Sequence, residues 1–223
     1  VNDVPVLAAI GNQTTNEDED TTIVLSASDV DIATNDQSLL YSATSSNESL
    51  VTVSVSSGDS TGSGSITLDV QSNQNGDADI TVTVIDNGTG TLTDIETFTL
   101  TVTAVNDVPV LAAIGNQTTN EDEDTTIVLS ASDVDIATND QSLLYSATSS
   151  NESLVTVSVS SGDSTGSGSI TLDVQSNQNG DADITVTVID NGTGTLTDIE
   201  TFTLTVTAVD DAPTVSNALS DIV

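Results

Sequence analysis

The chain has 223 residues, 35 of them Asp or Glu, and no Lys, Arg, His, Cys, Met or Trp, so its formal net charge is −35. Nucleic-acid binding, attraction to an anionic membrane surface and phosphate clamping all need cations, and there are none. Ser-His-Asp and Cys-His catalysis, lysine Schiff bases and zinc–thiolate sites lack their essential residues, which sets enzymatic function aside.

So acidic a composition invites a disordered reading, which the apolar content opposes. Leu, Ile, Val and Phe supply 28 of the first 104 residues, above the roughly 20% below which highly charged chains stay disordered. Val and Thr dominate, and both suit a pleated surface. The organising feature is a repeat: Val1 to Ala104 recurs unchanged as Val105 to Ala208. Residues 1–104 and 105–208 are therefore expected to be two identical domains. Residues 209–223 read as a linker and the opening of a third, divergent domain. A period of this length matches one autonomous domain rather than a solenoid unit. The boundary motif Val-[Asn/Asp]-Asp-x-Pro places a stiffening proline in each connection. The opening VNDVPV reads as the start of an excised piece of a longer chain.

Along one repeat, alternation of period two recurs. A leading strand is expected at Val6 to Ile10. Next come Ile23, Leu25 and Ala27, then Leu39, Tyr41 and Ala43, then Val51, Val53 and Val55. Ile66, Leu68 and Val70 follow, then Ile80, Val82 and Val84. Phe98, Leu100 and Val102 close the repeat, with Thr97, Thr99, Thr101 and Thr103 on the water side. Turn-rich stretches at Ser57–Gly64, Asn73–Gly76 and Asn87–Gly90 separate them. The expected fold is all-β: tandem seven-stranded antiparallel sandwiches of immunoglobulin or cadherin type, joined end to end.

Strand counting then assigns the acidic turns to the two ends of each sandwich. The turn after the first strand, Asn16-Glu17-Asp18-Glu19-Asp20, falls at the end that carries the outgoing linker Asn106-Asp107. The second repeat is expected to bring Asp133, Asp135 and Asp190 to the same seam from two other turns. Like charges about 4 Å apart repel by about 1 kcal/mol even in water. With no protein cation, protons, monovalent ions or a divalent ion must compensate. Calcium accepts 6–8 oxygen ligands and fits an all-oxygen donor set better than magnesium. The bland alternative is a set of solvated acidic turns. Because the repeats are identical, the candidate calcium ligands form matching sets. They are Asp3, Glu17, Asp18, Asp29, Asp31 and Asp86 in the first repeat. Asn106, Asp107, Glu121, Asp122, Asp133, Asp135 and Asp190 follow in the second, with Asp210 and Asp211 in the last linker. Asp59, Asp69, Asp77 and Asp79 are either secondary sites or solubilising turn residues. An EF-hand reading from Asp29 fails, because Thr34 stands where Gly is required and Leu40 where Glu is.

Four features carry a resemblance: VNDVP, NED before an alternating strand, SDVD, and TFTLTVTAVND. They resemble the cadherin-like tandem extender repeats of bacterial RTX adhesins, ice-binding members included. The Glu17, Asn106-Asp107, Asp133-x-Asp135 and Ile189-Asp190-Asn191-Gly192 positions carry the likeness to cadherin calcium motifs. The resemblance implies an extracellular, calcium-rigidified spacer at a bacterial cell surface, exported by type I secretion and projecting a distal ligand-binding region. Its partners would be adjacent repeats of the same monomeric chain, without nucleic acid or direct membrane contact. The competing reading is a repeat that itself binds a glycan, a partner cell or ice through its threonine rows.

Overall fold

A computed structural model describes residues 1–56, 61–160 and 165–213. The chain divides into two compact units, Val1–Val105 and Asn106–Val223. In the first unit β1 is Val6–Leu7, β2 Gln13–Asn16, β3 Thr21–Ser28, β4 Leu39–Ser45, β5 Val51–Ser56, β6 Ser63–Val70, β7 Gly76–Asp86 and β8 Thr93–Thr103. A single helical turn, α1, spans Asp31–Asn35 between β3 and β4. The second unit repeats the plan with β9 Val110–Leu111, β10 Gln117–Asn120, β11 Thr125–Ser132, α2 Asp135–Thr138, β12 Leu143–Ser149, β13 Val155–Ser160, β14 Ser167–Val174, β15 Gly180–Asp190 and β16 Thr197–Thr207.

Each unit is a sandwich of two four-stranded sheets, ordered β1-β3-β6-β5 and β2-β8-β7-β4 in the first. The strand count departs from the expected seven among the described residues. The leading strand breaks in two, and its halves join opposite sheets: β1 pairs antiparallel with β3, while β2 pairs parallel with β8. The cause is local. Leu7 is buried and Ile10 packs against the same core, and a spacing of three cannot keep one face of an alternating strand inward.

Elsewhere the alternation does what a period of two requires. Leu25, Leu39, Tyr41, Val51, Ile66, Leu68, Ile80, Val82, Val84, Phe98, Leu100 and Val102 fill the core of the first unit. That core is aliphatic apart from Phe98 and Tyr41, and Tyr41 directs its hydroxyl to the carbonyl of Gly62 at 2.7 Å. The threonine row is tied down across the sheet. Thr99 donates to Asp79 at 3.0 Å, Thr101 to Asp77 at 2.7 Å, and Thr81 and Thr97 share a 3.2 Å contact. Asp77 and Asp79 thus lie in β7 rather than in a turn. Asp59 and most of 209–223, expected to open a third domain, lie outside the described residues.

Candidate metal centre

Two poles result within each unit. At the entry pole Asn2 and Asp3 meet the β3–β4 connection and the β7–β8 turn. At the exit pole the β2–β3 turn meets the segment that follows β8.

Asp31 is 4% exposed and opens α1. Its Oδ2 accepts the Asp3 N–H at 2.9 Å, and its Oδ1 accepts the Asn35 amide at 2.7 Å. Asp29 accepts the Asp31 N–H at 2.8 Å through Oδ1. Asp86 ends β7, is 2% exposed, and accepts the N–H groups of Gly88 and Leu92 at 2.9 and 3.1 Å. The Asn2 amide reaches both Asp86 oxygens, at 3.2 and 3.1 Å.

The second unit repeats this pole. Asp107 N–H donates to Asp135 at 2.8 Å, Asp135 N–H to Asp133 at 2.9 Å, and the Asn106 amide to Asp190 at 3.1 Å. Asp135 and Asp190 are buried. Burial pushes the Asp133 carboxyl above its ordinary value, and the charges of Asp135, Asp190 and Asp107 push it the same way. The hydrogen bond from the Asp135 backbone opposes them. Asp133 is thus a carboxylate whose ionised form is disfavoured by three neighbours of its own sign.

At the exit pole Glu17 is 4% exposed, and its Oε1 accepts the Val105 N–H at 2.6 Å. Glu121 holds Val209 N–H in the same way at 2.6 Å. Asp18 and Asp122 do something else. Both take positive φ, 61° and 63°, and accept the N–H of Asn73 or Asn177 across the sandwich edge at 3.1 and 3.0 Å. Asp20 accepts Val70 N–H at 3.1 Å. Asp210 and Asp211 are exposed.

A hard cation needs oxygen atoms that are not already spent on donors. Asp29 and Asp133 each keep a buried Oδ2 with no hydrogen-bond partner, and Gln37 and Gln141 each keep a buried Oε1 in that state. Buried acceptors left unsatisfied are uncommon and costly. With carboxylates, amide oxygens and no cationic side chain at one pole, the donor set fits calcium. Gln37 and Gln141 were not apparent from the sequence, because a glutamine in a polar connection has no spacing or charge signature.

No protein-family model matches the chain, and neither does any curated protein sequence. Solved structures do match. Extracellular cadherin domains 1–5 of protocadherin gamma B2 align with a TM-score of 0.55 and 19% identity, over 95% of this chain and 42% of that one. The fold is cadherin-like. Protocadherin gamma C5 EC1–3 aligns with a TM-score of 0.55 and 17% identity, over 91% of this chain and 68% of that one. Mouse cadherin-23 EC22–24 gives 0.55 and 16%, over 93% and 67%. At these identities the likeness is one of fold. Among the described residues, no helix of this cadherin-like chain is long and apolar enough to cross a membrane.

Proposed function

We propose that the chain is a spacer segment of an extracellular adhesin, in which calcium at each linker stiffens a row of identical cadherin-like domains. The protocadherin gamma B2 structure is of extracellular cadherin domains, which supports placing this chain outside the cell. The resemblance to RTX adhesin extenders adds a bacterial surface and export by type I secretion to the proposal. Complete identity of the repeats supports length, rather than a surface particular to one repeat, as the selected property. The tied threonine hydroxyls give no support to the competing glycan- or ice-binding role.

The observation that carries the reading is how the chain enters and leaves a unit. Glu17 holds the backbone of Val105, the last residue of the first unit. Asp135 holds the backbone of Asp107, the second residue of the next. One residue, Asn106, separates the two anchored positions, so covalent continuity commits carboxylates of both units to one short linker. An ion bound there would neutralise them and fix the angle between domains. The carboxylates at the linker would supply its oxygens, and calcium would supply only charge and coordination.

Small-angle scattering in millimolar calcium tests this. The wild-type chain is expected to give the maximum dimension of a rod, and chelator or Asp107→Ala a broader, shorter distribution. Equal distance distributions for all three samples would refute calcium stiffening at this linker.

A further inference from the structure

The linker asparagines each set an amide nitrogen against a buried carboxylate. Asn2 Nδ2 lies 3.2 and 3.1 Å from the two Asp86 oxygens, a bridging position between both. In the second unit Asn106 Nδ2 lies 3.1 Å from Asp190 Oδ2. The other acceptor capacity of these carboxylates goes to turn amides: Gly88 and Leu92 on Asp86, Gly192 and Leu196 on Asp190. A neutral amide donor thus does part of what a metal ion would do at each site.

The orientation of that amide is not left to chance. The asparagine Oδ1, the only atom of the side chain able to ligate a hard cation, points away from the aspartate. It accepts Gln37 Nε2 at 2.8 Å in the first unit and Gln141 Nε2 at 2.7 Å in the second. Both glutamines are buried, at 7% and 8% exposure. Each leaves its Oε1 buried with no hydrogen-bond partner. Gly88 and Gly192 make room for the amide pair. A Cβ at either would collide with the asparagine Oδ1 and crowd the glutamine Nε2.

An amide presents donor and acceptor at nearly equal reach, so a half-turn of both side chains exchanges their roles. After that turn the asparagine Oδ1 faces the aspartate, where a cation can bridge the two. The asparagine Nδ2 then donates to the glutamine Oε1, which no longer lacks a partner. The number of hydrogen bonds between the two amides is unchanged, and the glutamine Nε2 takes the place that its unpartnered Oε1 held.

We propose that Gln37 and Gln141 are positioning residues for calcium. Each holds its linker asparagine in a cation-free orientation and turns with it when the ion binds, so that Asn2 and Asn106 present Oδ1. The proposal rests on the calcium reading above and concerns which residues set affinity.

The test uses the full chain with calcium chloride, changing both repeats together. Calcium affinity is measured by calorimetry for wild type, Gln37→Leu/Gln141→Leu and Gln37→Glu/Gln141→Glu, and a high-resolution crystal structure is determined with calcium. The leucine pair removes one inter-amide hydrogen bond from the ion-free state and one from the bound state, so its affinity is expected to stay within about threefold of wild type. Glutamate can only accept, so its variant loses the ion-free hydrogen bond, keeps the bound-state one, and is expected to raise affinity about tenfold, the worth of one hydrogen bond; it also serves if the leucine variant does not fold. The calcium-loaded crystal is expected to place Asn106 Oδ1 on the ion at about 2.3–2.6 Å, with Asn106 Nδ2 on Gln141. Calcium bound while Asn106 Nδ2 stays on Asp190 would overturn the proposal. So would a tenfold change of affinity in the leucine pair, or a glutamate variant whose affinity is unchanged or weakened. Absence of any binding heat in wild type would instead overturn the calcium reading itself, and this proposal with it.

Discussion

Replacing Asp86 and Asp190 by alanine separates two roles that one carboxylate can combine. As a calcium ligand alone, Asp86 would matter only when calcium is bound. Its hydrogen bonds give it a second role, because it closes the β7–β8 turn by accepting Gly88 N–H and Leu92 N–H and also holds the Asn2 amide. Alanine strands three donors per repeat. A stranded buried donor costs about 1–3 kcal/mol, and the low end applies to a turn that water can reach, so the loss is about 3 kcal/mol per repeat. For a domain near 100 residues, that lowers the melting temperature by more than about 10 °C. Urea unfolding at calcium concentrations from micromolar to millimolar provides the assay. Ligand binding adds stability as RT ln(1 + [Ca]/Kd) for each site, so a lost ligand flattens the dependence on calcium. A lost turn closure lowers stability at every concentration. Both are expected. Curves for variant and wild type that converge at low calcium would refute the turn role.

Two further outcomes follow from the same structure. The folded-state pKa of Asp133 lies above its unfolded value, so the folded state binds that proton more tightly. In chelator its contribution to stability is present below the unfolded pKa near 3.8 and is lost as pH rises through the folded pKa. The stability gained by Asp133→Asn over wild type should therefore grow with pH through that window and disappear at its acid end; a pH-independent difference in unfolding midpoint would contradict this. In the core, Phe98→Ala with Phe202→Ala removes the one phenylalanine of each repeat, both 2% exposed, and should cost about 3–5 kcal/mol per repeat. A loss below 1 kcal/mol by urea unfolding would mean that the surrounding aliphatic side chains close over the gap.

The sandwich was legible because burial on one face imposes an alternation that a single sequence displays. Leu39 and Tyr41, or Phe98, Leu100 and Val102, could hardly be read otherwise. The split of the leading strand was less so. Its only trace is the three-residue spacing of Leu7 and Ile10, too short a signal to separate from noise. The gathering of Asp3, Asp29, Asp31 and Asp86 at one pole was within reach of strand counting, since alternating chain direction assigns turns to ends. Counting places turns but cannot say where a side chain points. Asp18 belongs to the same acidic run as Glu17, yet a left-handed residue in that turn sends its carboxylate to Asn73.

The absence of Lys and Arg explains why this pole is built from amides. A buried carboxylate must be neutralised or hydrogen-bonded, and an arginine would do both permanently. Here the donors on Asp31, Asp86, Asp135 and Asp190 are backbone N–H groups, the amides of Asn2, Asn35, Asn106 and Asn139, and, on Asp31, the Thr34 hydroxyl. Such groups satisfy acceptor geometry and leave the net charge untouched. A fixed guanidinium would compete with a metal ion for the same oxygens at every calcium concentration. An amide competes weakly, and the linker amides can turn to become a ligand. A pole built this way keeps its negative charge until a cation arrives, so under the proposed function its stability would follow the calcium outside the chain. If the proposed secretion holds, that dependence would let each domain remain loose before export and stiffen afterwards.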